Sequence, residues 1–151
     1  MSVQLPQPFG KYILVRKLAL GGMAEIFLAK AIGAEGFEKE VVIKRILPSY
    51  TEDESFISMF IDEARIAARL HHANIVQIFD FDKVDDCFYI AMEYVEGRDL
   101  RKVLDQGARL DNPMSILHAT QIMAEVAAGL SFAHSRCTDD GLPLGLVHRD
   151  V

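Results

Sequence analysis

The sequence predicts an α+β chain in which strands and helices are segregated along its length. Three observations carry this. Runs rich in β-branched and aromatic residues fall before Val95, one capped amphipathic helix lies among them, and only helical patterns follow Val95-Glu96-Gly97. With 151 residues, 50% of them apolar, the chain has material for the core of one domain of ordinary size.

Tyr12 to Leu18 and Glu25 to Ala31 read as strands, joined through Ala19-Leu20-Gly21-Gly22-Met23-Ala24, where paired glycines give a pliable hairpin tip. After the polar loop Gly33 to Lys39, Val41 to Ile46 forms a third strand, closed by Pro48. Thr51 and Glu54 make a capping box ahead of a helix in which Phe56, Met59, Phe60, Ile66, Ala67 and Leu70 recur at three and four. Ile75 to Phe81 and Phe88 to Glu93 are two further strands around a tight acidic turn at Val84-Asp85-Asp86. A helix follows from Asp99 to Gln106, stopped by Gly107. The longest helix starts at Asn112 as cap, with Pro113 in its first turn, and runs to about His134. No internal repeat or low-complexity tract interrupts this order.

Charge and cysteine usage narrow the function classes. The net charge is −6 and no Lys/Arg stripe tracks a phosphate backbone, so nucleic acid is not an expected partner. Cys87 and Cys137 stand alone, without a CxxC or a histidine at metal spacing, which points to free thiols and a cytoplasmic location. Met1 to Gly10 has no leader pattern, and Ile116 to Ala133 is interrupted by His118, Gln121 and Glu125, so neither a signal peptide nor a membrane span is expected in this stretch. Asp80, Asp82 and Asp85 lack the glycine and terminal glutamate of a calcium loop and read as a solvated hairpin. His71, His72, His118 and His134 read as structural or surface residues, and no metal-ligand set is assigned.

The chemistry-bearing residues lie elsewhere. A glycine-bearing turn between two strands leaves room for an anion to approach backbone N–H groups, although by itself such a turn is usually only a turn. Lys44, in Val41-Val42-Ile43-Lys44-Arg45-Ile46, is a cation on a strand built for burial and needs a partner, since an unpaired buried ammonium is costly. Glu63, amid Phe60, Ala64 and Ala67 near the apolar side of the helix, is the natural one.

Taken in order, these features resemble the signature set of protein kinases, in particular the bacterial serine/threonine kinases of eukaryotic-like type, over nearly the whole chain. Leu18 to Ile26 occupies the place of the glycine-rich loop, Lys44 that of the strand lysine and Glu63 that of the helix glutamate. His72-Ala73-Asn74-Ile75-Val76 is similar to the His-Pro-Asn-Ile-Val stretch, Met92 to Gly97 to the gatekeeper and hinge, Leu130 to His134 to the end of the long lower-lobe helix, and His148-Arg149-Asp150 to the catalytic loop. The fold implied is a five-stranded antiparallel N-lobe sheet with one packed helix over about 11–95, then the first helices of a truncated helical C-lobe over about 96–151.

The resemblance also implies roles. Lys44, paired with Glu63, would hold the α- and β-phosphates of ATP, with Gly21, Gly22, Met23 and Ala24 forming the lid. Leu18, Ile26 and Val42 would sandwich the adenine, Met92 would limit the pocket behind it, the backbone of Glu93 and Val95 would read its edge, and Asp99 would meet the ribose. Asp150 would act as catalytic base toward a hydroxyl of a protein substrate. Two departures stand out. The loop's three-glycine pattern aligns with Ala19, Gly21 and Ala24, and an alanine at any position needing φ > 0 would cost roughly 1 kcal/mol, which weakens the expected phosphate grip. The Mg²⁺ ligands of the family would lie downstream of Val151, so the 151 residues alone are expected to bind nucleotide weakly without transfer and, with an apolar long helix, to self-associate. The alternative of a different class is a non-catalytic nucleotide- or partner-binding module. A small-molecule phosphotransferase is disfavoured by the arginine of His148-Arg149-Asp150.

Overall fold

The computed structural model describes residues 5–138 and 140–148. They form two compact units. Of the described residues, those up to His71 with Val76–Tyr94 make the first, and His72–Ile75 with those from Val95 onward make the second.

The first unit is an antiparallel sheet of six strands, β1 (Gln7–Phe9), β2 (Tyr12–Leu20), β3 (Ala24–Ile32), β4 (Glu38–Ile46), β5 (Ile78–Val84) and β6 (Cys87–Glu93), in the order β1-β2-β3-β4-β6-β5. One helix, α1 (Glu54–Ala67), belongs with it. The expected five strands are thus corrected to six. The additional one, β1, turns back onto Tyr12–Leu14 through Gly10 at φ 54°, and Pro8 is tolerated because β1 is an edge strand.

Strand alternation divides the side chains between two faces. On one, Phe27, Ala29, Val41, Ile43, Tyr89 and Ala91 join Phe9, Tyr12 and Leu14 in a buried cluster. On the other, Ile46 and Ile90 pack with Phe56, Phe60 and Ala64, the buried i, i+4, i+8 stripe of α1. The sheet curls so that β2 meets β5: the Tyr12 and Tyr89 hydroxyls each donate to Asp80 Oδ2 at 3.1 Å, and Lys11 Nζ lies 2.8 Å from the same oxygen. Burial, then the Asp80 charge, pushes both tyrosine hydroxyls well above the ordinary phenol range and keeps them donors. The β5–β6 turn places Asp85 and Asp86 at φ 47° and 62°, the two left-handed residues that a tight two-residue hairpin requires.

Element ends differ from expectation where cap residues compete. Asp53, not Thr51, caps α1, its carboxylate accepting from the Phe56 N–H at 3.1 Å, because a single turn over Pro48–Tyr50 engages the Thr51 hydroxyl with the Pro48 carbonyl. The strand expected from Ile75 begins at Ile78.

In the second unit, α2 (Leu100–Arg109) is capped by Asp99 and continues through Gly107, and α3 (Ile116–His134) is capped by Ser115, not Asn112. The Asn112 N–H bonds the Gly107 carbonyl after Asp111 at φ 50°, so residues 112–114 close a turn instead of opening a helix. Segment His72–Ile75 is docked on α3: the Asn74 side-chain amide donates to the Glu125 carbonyl and carboxylate, and the His72 ring lies 5.1 Å from that of Phe132. A Cβ on Gly129 would sit 3.2 Å from the Asn74 carbonyl oxygen, which is why a glycine occupies this helical position. By length and composition alone α3, with a mean hydropathy of 1.2, would suffice to cross a membrane.

Candidate functional site

The register of the first unit builds a surface from alternate residues. Ile26, Lys44 and Ile90 stand in one row across β3, β4 and β6, and Leu28, Val42 and Met92 in the next. These rows share their face with the cluster under α1, so Lys44 emerges from an apolar floor toward the helix. There its Nζ lies 2.5 Å from Glu63 Oε1 and 5.6 Å from the Phe60 ring centre. Lys44 is 25% and Glu63 53% exposed, so the pair stands at the wet rim of the floor. An ion pair in that setting is worth at most about 1 kcal/mol.

The pair lines a cavity of about 360 Å³ together with Gly21, Gly22, Met23, Ala24 and Ile26. Phe56, Met59 and Phe60 of α1 complete its wall. The sequence marks these three only as apolar residues of a helix. The apolar period was visible, but its extension into a cavity depends on how α1 is placed over β4.

The glycine-bearing turn is tight. The Gly21 N–H donates to the Ala24 carbonyl at 2.9 Å, the Met23 carbonyl accepts from the Leu47 N–H, and a Cβ on Gly21 would lie 3.3 Å from the Ala24 oxygen. A Cβ on Gly22 would meet nothing within 4 Å. Ala19 and Ala24 lie in β2 and β3, and neither is among the non-glycine residues with positive φ. The expected conformational cost of alanine therefore does not arise. These two positions are extended strand, which any L-residue adopts.

The remaining nominated residues are distributed. Val42 is buried beside Met92, and a register shift between Lys17 and Ala19 leaves half-buried Leu18 unmatched on β2. Glu93 ends β6, its N–H donating to the Gln77 carbonyl and its carboxylate accepting from the Gln77 N–H. Val95 and Asp99 belong to the second unit. Asp99 serves as the α2 cap, bonded to the Lys102 N–H at 2.9 Å and the Lys102 ammonium at 2.7 Å, and the Lys102 side-chain and backbone bonds hold its carboxyl below the ordinary range. Arg149 and Asp150 lie outside the described residues.

Comparison with known proteins accounts for this arrangement. The family model described as "Protein kinase domain" matches residues 12–151. The chain is 50% identical over 149 residues to the tyrosine-protein kinase MasK of Myxococcus xanthus, covering 99% of this chain and 23% of that protein. It is 35% identical to the serine/threonine-protein kinase PrkC of Bacillus subtilis, covering 94% of this chain and 20% of that protein. Among solved structures, the kinase domain of PknI from Mycobacterium tuberculosis matches with a TM-score of 0.72 at 30% identity, covering 100% of this chain and 56% of that one. The chain thus spans about a quarter or less of the two relatives and just over half of the solved kinase domain. A cation on a buried strand facing a helix carboxylate, beside a glycine turn on a curled antiparallel sheet, has its explanation in common descent: the chain belongs to the protein kinase domain family.

Proposed function

We propose that the first unit is the ATP-holding part of a protein kinase that transfers the γ-phosphoryl group to serine or threonine hydroxyls of protein substrates. The observation that carries this reading is the Lys44–Glu63 pair at the mouth of the cavity beside Gly21 and Gly22. A fixed ammonium over an apolar floor suits a triphosphate joined to an aromatic base, and Glu63 orients that ammonium. Ile26, Val42 and Met92, on the same sheet face, would cover the base. Val95, Asp99 and Asp150 keep the hinge, ribose and base roles that the family resemblance gives them. Mg²⁺, which the family uses, supplies charge neutralisation at the phosphates; no residue assigned here is proposed as its ligand.

Serine/threonine acceptors are favoured by the names of several relatives, PrkC among them, while MasK is named a tyrosine kinase. Against the non-catalytic alternative stand Lys44, Glu63 and Asp150, all present in the sequence, and Ala19 and Ala24, which have no positive φ to weaken the loop. We place the protein in the cytoplasm on its two free cysteines, Cys87 and Cys137. The 151 residues alone are proposed to bind nucleotide without transfer.

The test has two arms. Calorimetric titration of the 151-residue chain with ATP should show saturable binding, weakened in Lys44→Met. A chimera of residues 1–151 with the remainder of the PknI kinase domain should phosphorylate a generic protein substrate on serine or threonine, and Lys44→Met should lower kcat by on the order of 10²-fold. Asp150→Asn should abolish transfer while leaving ATP binding in place. Absence of ATP binding, or phosphotyrosine as the sole product, would overturn the corresponding part of the reading, and so would transfer by the 151 residues alone.

A further inference from the structure

Behind the cavity floor lies a charge cluster that the proposed chemistry does not use. Glu25 is 8% exposed, the one buried charged residue among the described residues. Its two carboxylate oxygens are divided between two strands. Oε1 accepts from Lys17 Nζ of β2 at 2.6 Å, and Oε2 accepts from Arg45 of β4 through Nε at 3.0 Å and through a terminal guanidinium nitrogen at 2.9 Å. The Arg45 guanidinium is seated 4.7 Å from the Phe27 ring centre and 5.7 Å from that of Phe9. Burial raises the Glu25 carboxyl, and the bonds from Lys17 and Arg45 together more than reverse this, so it stays charged.

Each member adjoins a residue of the candidate site. Glu25 lies between Ala24 and Ile26, Arg45 follows Lys44, and Lys17 precedes Leu18. Alternation puts Glu25 and Arg45 on the face opposite Lys44, so the cluster ties β2, β3 and β4 together from the rear, immediately beside the Gly21–Gly22 turn. A buried ion cluster is a poor way to gain stability, because apolar residues of similar volume do as well. It is a good way to set register, because a carboxylate with each oxygen assigned to a different strand accepts one relative placement of those strands. The turn and the Lys44 ammonium would have to grip one triphosphate, and misplacement by about 1 Å costs on the order of 10²-fold in comparable settings.

We propose that Glu25, with Lys17 and Arg45, is a positioning residue for the triphosphate subsite, holding the glycine turn in register with Lys44. This rests on the reading that the cavity takes ATP. The test measures ATP and adenosine affinity of the 151-residue chain alongside its thermal midpoint, for the unaltered chain, Glu25→Gln, Arg45→Gln and the double variant. Positioning predicts that Glu25→Gln weakens ATP about ten-fold and adenosine by less than about two-fold, with the double variant little worse than either single one. Equal losses for ATP and adenosine, or an unchanged ATP affinity in a folded variant, would refute it. Should Glu25→Gln fail to fold, Lys17→Gln, at the more exposed arm of the cluster, carries the same comparison with a loss of about three-fold for ATP only. If the unaltered chain binds ATP more tightly than adenosine and Glu25→Gln keeps that difference, the positioning role falls alone. If it binds neither, the nucleotide reading falls and takes this inference with it.

Discussion

Replacing Phe60 by alanine tests how the helix carrying Glu63 is held. Phe60 is 2% exposed, packs with Ile46, Ile90, Phe56 and Ala64, and lies with ring centres 6.5 Å from Phe56 and 6.2 Å from Phe81. A buried aromatic removes about 150–250 Å² from water, worth roughly 4–6 kcal/mol at about 25 cal/mol/Å² as an upper bound, and phenylalanine-to-alanine changes in cores cost about 3–5 kcal/mol. Domains are stable by only about 5–15 kcal/mol, so this loss is a large part of the total. Met59, its neighbour on α1, is 54% exposed, and Met59→Ala should cost no more than about 1 kcal/mol. Urea unfolding followed by circular dichroism, with the slope m checked for constancy, gives both numbers. A Phe60→Ala loss below about 1 kcal/mol, or one equal to that of Met59→Ala, would mean that α1 is not anchored through this stripe.

Three further outcomes follow from the packing. Asp80 should carry a pH-dependent share of stability. Burial raises its carboxyl, but the bonds from Lys11, Tyr89 and Tyr12 outweigh this and hold it below the ordinary value. That share is present above the unfolded value of about 3.9 and lost as pH falls through the lower folded value. Subtracting the Asp80→Asn curve from the unaltered one should leave a slope below about pH 4 and none above it, and a flat difference would refute the assignment. Gly129→Val should force the Asn74 segment off α3, since even a Cβ would approach the Asn74 carbonyl oxygen to 3.2 Å; loss of amide exchange protection confined to 72–75 and α3 is the readout, and unchanged protection would count against it. Ile116, Leu117 and Met123 on α3 are 85%, 77% and 59% exposed, so the 151-residue chain should bind a hydrophobic dye and elute larger than a monomer, whereas a dye-free monomer would show that this surface is covered in solution.

The features legible in the sequence were those with a period or a penalty. The aliphatic run Val41 to Ile46 and the three-four recurrence from Phe56 to Leu70 mark β4 and α1, and the cost of an ammonium among aliphatics points from Lys44 toward Glu63. Features set by competition or by register were not legible. Thr51 and Asp53, or Asn112 and Ser115, are equally good cap types a few residues apart, and the choice falls to neighbouring turns at Pro48–Tyr50 and Gly107–Asn112. β1 is three residues long with a proline, below the length at which alternation is recognisable. The Glu25 cluster depends on the mutual register of β2, β3 and β4, one junction of which carries a shift at Lys17–Ala19 that no local pattern announces.

The energies assign different tasks to the two things that join α1 to β4. The stripe of Phe56, Phe60 and Ala64 over Ile46 and Ile90 is dry and accounts for several kcal/mol, while the Lys44–Glu63 pair is half in solvent and accounts for about 1 kcal/mol or less. Packing therefore sets where the helix lies, and the ion pair sets only where the ammonium points once the helix is there. The consequence is a separation of effects. Changes at Lys44 should alter phosphate affinity and turnover with little change in unfolding free energy, whereas changes at Phe60 should lower stability first and reach nucleotide binding only through the displaced helix. A Lys44→Met variant that lost as much stability as Phe60→Ala would show that the pair holds α1 in place, and the cavity would then owe its shape to the charges at its rim instead of to the core beneath it.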